Sequence, residues 1–86
     1  MATYQSTIAD INNSLALGLI DNAGIANSLT TKIQAAASAS NSKAASGVLG
    51  AFENEVSAQT GKHITGIAPQ VLQTDAASLI SQLSTQ

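Results

Sequence analysis

The stretch Ala51-Phe52-Glu53-Asn54-Glu55-Val56-Ser57-Ala58-Gln59-Thr60-Gly61-Lys62-His63-Ile64 constrains the fold more than any other part of the chain. Phe52 and Val56 stand four apart and so share one helical face. Gly61 supplies the left-handed residue that closes a helix, and Ile64 is an apolar anchor before Thr65, a residue type that caps the start of a new one. The segment therefore spells helix, stop, turn and helix.

The remaining apolar residues repeat at the same helical spacing. Tyr4, Ile8, Ile11 and Leu15 recur at steps of four, three and four, which predicts a first helix over 3–17, capped by Thr3 and ended by Gly18. Asn12-Asn13-Ser14 is a formal glycosylation sequon, but on a helix it is a poor acceptor. Ile25, Leu29, Ile33 and Ala36 predict a second helix over 22–40 with Asp21 or Asn22 at its cap. Asp21-Asn22-Ala23-Gly24 lacks the alternating oxygens and closing glutamate of a calcium loop. The small residues of 35–46 predict a helix end, a loop that a protease enters first, and a restart at Ser42.

A third helix is predicted over 43–60, with Ala45, Val48, Leu49, Phe52 and Val56 inward and Glu53, Asn54 and Glu55 outward. Gly47 and Gly50 weaken it by about 1 kcal/mol each relative to alanine. The fourth, over 66–83, has the most continuous stripe: Ala68, Val71, Leu72, Ala76, Leu79, Ile80 and Leu83. Pro69 is tolerated only in its opening turn. Asp75 sits at the edge of that stripe, and Lys62 is its expected partner. The fold expected from these stripes is an all-α bundle of four short antiparallel helices, with Gly18 and Gly61 at its tightest turns. Its core is expected to hold Ile11, Leu15, Leu29, Ile33, Leu49, Phe52, Val56, Val71, Leu72, Leu79 and Ile80.

Two blocks of the chain also carry a family resemblance. Leu49-Gly50-Ala51-Phe52 through Val56, Ala58, Thr60-Gly61-Lys62 and Ile64 resembles the pattern L-x-A-F-x-x-x-V-x-A-x-[ST]-G-K-x-I of the FIMAH domain, a small helical module. Upstream, Gly18-Leu19-Ile20-Asp21-Asn22-Ala23-Gly24-Ile25-Ala26-Asn27-Ser28-Leu29 is similar to that family's G-x-I-x-N-x-G-I-A-x-S-L. Gly50 departs from the pattern, which has a larger polar residue there. The resemblance implies an ancillary, non-catalytic module of a large secreted microbial protein, often near the C-terminus of enzymes that act on polymers.

Composition narrows the chemistry from the other side. The 86 residues contain no cysteine, three lysines and one histidine, so neither disulfide nor metal-ligand set is expected to staple this small core. His63 has no cysteine or second histidine with which to form a metal site or a nucleophile–base pair. Glu53 and Glu55, two apart on a helix, point about 200° apart and cannot flank one bond as acid and base. Gly47-Val48-Leu49-Gly50 falls inside a helical pattern and is no phosphate loop. No catalytic residue, cofactor or metal is expected. A net charge of −2, with lysines scattered at 32, 43 and 62, argues against nucleic acid as a partner. The longest apolar run, Leu15 to Ile20, falls far short of the about 20 residues that span a bilayer.

Only 9% of the residues are charged, against about 25% in average domains, and a neutral, amide- and hydroxyl-rich surface of this kind fits an extracellular module. Met1-Ala2 has neither the basic start nor the apolar core of a signal peptide, so a secreted parent is expected to carry its signal elsewhere. What remains is contact with another surface. Leu17, Leu19, Ile20 and Ile67 fall off the helical stripes and are candidates for docking or for sealing loops; Lys62 and His63 lie beside the Gly61 turn. Lys62, His63, Leu17 and Ile67 are therefore the candidate partner contacts. The expected partners are other domains of the parent protein or an extracellular protein or polysaccharide surface. Sugar stacking has little aromatic equipment to draw on, because the only rings are Tyr4 and Phe52.

Overall fold

A computed structural model describes residues 2–84. Within them the chain forms an all-α four-helix bundle: α1 (Tyr4–Ala16), α2 (Ala23–Ala37), α3 (Ser42–Gln59) and α4 (Ala68–Leu83). Each helix packs against its two neighbours around a ring, α1 closing it against α4. Three of the starts follow the local chemistry of orphan backbone N–H groups. Thr3 accepts from the Ser6 N–H while the Ser6 hydroxyl accepts from the Thr3 N–H, a reciprocal capping box. Asn22 caps α2 through the Ile25 N–H, and Asn41 caps α3 through the Ala44 N–H.

The fourth start differs from the expected one. Thr65 does not cap α4; its N–H and hydroxyl both donate to the Leu19 carbonyl, at 2.8 and 3.3 Å. The helix begins only at Ala68, with Ile67 in the cap position and no side-chain cap bond. Pro69 in the first turn compensates in part, since it has no N–H to satisfy. The second helix also ends earlier than its pattern predicts, at Ala37, because Ser38–Asn41 turn the chain toward α3.

The core is a single cluster. Ile11, Leu29, Ile33, Leu49, Phe52, Val56 and Leu72 are fully excluded from solvent and Leu79 nearly so. Three expected members are not fully inside. Leu15 and Ile80 are half-buried at the cluster's margin, and Val71 is half-buried and not among the residues packed on it. In a ring of four helices each contributes only the stripe between its two neighbours, so the flanks of a wide apolar face reach the rim. Ile20 and Ile64 take places in the core instead, from outside any helix.

Polar contacts tie neighbouring helices together. The Lys32 ammonium on α2 donates to Glu55 Oε1 on α3 at 2.9 Å, and the Ser28 hydroxyl donates to the same oxygen at 3.0 Å. Glu55 is thus engaged between helices rather than fully solvated, as its outward position had suggested. Between α3 and α4, Gln73 Nε2 donates to the Glu53 carbonyl and to Ser57 Oγ, both at 3.0 Å. Between the N-terminal segment and α4, the Ala2 N–H donates to Ser78 Oγ and Gln82 Nε2 donates to the Ala2 carbonyl. At the other end of α1, Leu19 is bonded to Thr65 just ahead of α4. These contacts fix α1 and α4 as antiparallel neighbours, start beside end at both extremities.

The Gly61 turn obeys a strict backbone requirement. Thr60 has φ −62° and ψ 127°, Gly61 has φ +79°, and the Lys62 N–H donates to the Gln59 carbonyl at 2.9 Å; this is a type II turn, whose third residue needs positive φ. A β-carbon at Gly61 would touch nothing within 4 Å, so conformation alone sets the cost of filling it. Gly61→Ala is expected to lower stability by about 1–2 kcal/mol, measured by urea denaturation. No measurable loss would show that the turn relaxes freely to another conformation.

Candidate functional site

The residues singled out for partner contact gather at one end of the bundle, where the α1–α2 corner meets the α3–α4 turn. The corner is built as a Schellman motif: the Leu19 N–H donates to the Ser14 carbonyl at 2.9 Å and the Gly18 N–H to the Leu15 carbonyl at 3.1 Å, with Gly18 at φ +78°. The Ile20 N–H shares the Ser14 carbonyl at 3.1 Å. On the opposite side one carbonyl, that of Gln59, accepts from the N–H groups of Lys62, His63 and Ile64. Both chain reversals are thereby held by their own backbone.

The two reversals are then clasped to each other. Ile20 and Ile64 form an antiparallel bridge, flanked by Asp21 N–H to the His63 carbonyl at 3.0 Å and Thr65 N–H to the Leu19 carbonyl at 2.8 Å. The side chains of Ile20 and Ile64 point into the core and are 1% and 0% exposed, so Ile20 seals the corner instead of offering a docking contact. Leu19 is half-buried and lies over Gly66, where a β-carbon would come within 2.8 Å of Leu19 Cδ2 and where φ is +63°. Both the positive φ and the close approach reserve that position for glycine.

Outside the clasp, His63 Nδ1 lies 2.7 Å from Asp21 Oδ1, with both side chains about half exposed. Sequence spacing could not bring this pair together, because they lie on different connections and only the Ile20–Ile64 bridge sets them side by side. Leu17 and Ile67 remain out in solvent, 74% and 67% exposed, the large hydrophobic residues left uncovered among the described residues. Leu17 lies two positions before Leu19 and Ile67 two positions after Thr65, so both lie beyond the same end of the clasp, one on each chain segment. Leu17 is the C-cap of α1 and Ile67 the N-cap of α4.

Lys62 is not the partner of Asp75 that the sequence leads one to expect. It is exposed, and among the described residues its ammonium makes neither an ion pair nor a hydrogen bond; only its backbone N–H is engaged, on Gln59. Asp75 instead meets Asp10 of α1, and burial together with that neighbouring carboxyl pushes it up to about 7. The chemistry available at the clasp is thus an apolar pair, a free ammonium and a histidine–carboxylate contact. The Thr65 hydroxyl beside it is committed to the Leu19 carbonyl.

At the opposite end the small residues between α2 and α3 leave an open groove of about 400 Å³, bordered by Tyr4, Ala36, Asn41, Ala45 and Leu83. Tyr4 is half-buried there and Phe52 is fully buried, so neither ring offers a flat exposed face. Comparison of the chain with protein-family models, with curated proteins and with solved structures gives no match.

Proposed function

We propose that this domain is a non-catalytic accessory module of a larger secreted microbial protein, acting through protein–protein contact at the clasp end of the bundle. The observation that carries the reading is the exposure of Leu17 and Ile67 beside one backbone-bonded junction. Apolar side chains left outside a completed core favour a partner that covers them. Lys62 and the His63–Asp21 pair add polar groups at the same end of the bundle, and a contact patch commonly joins an apolar centre to polar surroundings. The resemblance to FIMAH domains supports the secreted, multidomain setting, and each of the two blocks that carry it includes residues of one of the reversals that meet in the clasp.

The test uses the remaining domains of the parent protein as the probe. Leu17→Asp combined with Ile67→Asp is expected to leave the thermal midpoint nearly unchanged, since exposed positions alter stability by about 0.5 kcal/mol or less. Binding to the parent domains is expected to weaken about 30-fold, the effect of losing a contact worth about 2 kcal/mol. Undiminished binding by the double variant would refute this site. Binding of the intact domain to a glycan array, with no binding to the parent domains, would favour attachment to carbohydrate instead. Turnover by the isolated domain would overturn the non-catalytic reading.

A further inference from the structure

The middle of the α1–α4 interface holds two carboxyl groups and, among the described residues, no cation paired with either. Ala2 lies beside Ser78 and Gln82 at one end, and Leu19 lies beside Thr65 at the other. In the antiparallel register that these contacts fix, Asp10, halfway along α1, falls opposite Asp75, halfway along α4. The Asp10 carboxyl faces that of Asp75, and a hydrogen bond between the two requires a proton, because two ionised carboxylates have only acceptors. Both residues are half-buried, and Asp75 Oδ2 is shut off from solvent with no hydrogen-bond partner among the described residues.

The charged and titratable groups on the helices flanking α4 do not relieve this pair. On α1 the other titratable residue is Tyr4, at the far groove beside Leu83. On α3, Lys43 lies by Ile80 and Leu83, Glu55 is taken by Lys32, and Glu53 shares its turn with the Gln73 amide. Asp10 is the group that reaches Asp75.

We propose that Asp10 and Asp75 form a proton-operated latch, in which one shared proton ties α1 to α4 and its loss sets two carboxylates against each other and loosens the α1 face of the bundle. The folded pair holds its proton up to about pH 7, whereas an unfolded aspartate releases it near pH 4. Between these values the folded chain carries the extra proton, so stability falls as pH rises from about 4 to about 7 and is level above that. The same linkage holds for any opening that separates α1 from α4.

The test compares the intact chain with Asp75→Asn and Asp10→Asn over pH 4–8. The wild-type thermal midpoint is expected to fall relative to either variant by at least about 5 °C across this range, in the direction set by the extra proton of the folded pair. Using the difference from the variants removes the contributions of Lys32–Glu55 and His63–Asp21, which all three proteins share. Amide exchange, corrected for intrinsic rate, is expected to show α1 losing protection between pH 5 and pH 8 ahead of α2 and α3. The carboxyl carbon chemical shift of Asp75 in the wild-type chain is expected to report a proton lost near neutrality. If Asp75 titrates below pH 5, or if the variants keep the wild-type pH dependence, the latch does not exist; these two readings stand even where one variant fails to fold.

Discussion

Phe52→Ala is expected to lower the unfolding free energy by about 3–5 kcal/mol. Phe52 is the one aromatic residue fully excluded from solvent, and it sits on α3, which packs against both α2 and α4. Its ring therefore belongs to the buried cluster that α2, α3 and α4 share, and alanine would leave a void that close-packed surroundings can fill only in part. Domains of this size have total stabilities near the low end of about 5–15 kcal/mol, and with no cysteine to cross-link the chain the variant is expected to be partly unfolded at room temperature. Phe52→Leu, which keeps most of the volume, is expected to cost less than about 1.5 kcal/mol. Urea denaturation of the two variants separates cavity formation from loss of an aromatic ring. A Phe52→Ala loss below about 1 kcal/mol would mean that this face of α3 does not form the centre of the core.

Such residues were legible because a buried helix writes its position with a period. Phe52 and Val56, or Leu29 and Ile33, could be assigned without knowing what they pack against. The period specifies the centre of a stripe better than its width, which is why Leu15, Val71 and Ile80 lie at or beyond the margin of the core. Loop residues write no period at all. Ile20 and Ile64 are as buried as any helical residue, yet each was legible only as an apolar residue near a turn, and their mutual pairing depends on where the two turns meet.

Polar partners were harder still. Thr65 has the chemistry of a helix cap, but an acceptor outside the helix, the Leu19 carbonyl, takes its hydroxyl and its N–H. Asp75 has the charge of a partner for Lys62, yet the packing of α1 on α4 brings Asp10 to it instead. In both cases the local rule names a suitable bond and a distant segment supplies the actual one. The candidate contact site was legible residue by residue, since Leu17 and Ile67 fall off every stripe. That they lie beside one junction was not legible, because the junction is made by backbone atoms common to all residues.

Ile64→Ala is the second large effect and the one that joins stability to the site. The Ile64 side chain is fully buried, so its loss is expected to cost about 2–4 kcal/mol, and Ile64→Val about 1 kcal/mol. Unlike Phe52, Ile64 is not carried by a helix: its N–H is bonded to Gln59, its carbonyl accepts from Gly61, and its strand-like segment is held to Ile20 by the bridge. The side chain is what fastens the α3–α4 turn to the core, so truncation is expected to release the clasp before the helices. In Ile64→Ala the amides of Asp21 and Thr65, which close the bridge on either side, should lose exchange protection ahead of those of Leu49 and Leu72. Binding through Leu17 and Ile67 should weaken with them, because both residues keep their relative placement only while the two reversals are clasped. Leu17→Ala provides the contrast: exposed as it is, it should change stability by about 0.5 kcal/mol or less and leave the Asp21 and Thr65 amides protected. If Ile64→Ala instead lowers protection uniformly across the bundle, the clasp has no independence from the core and unfolds only with it.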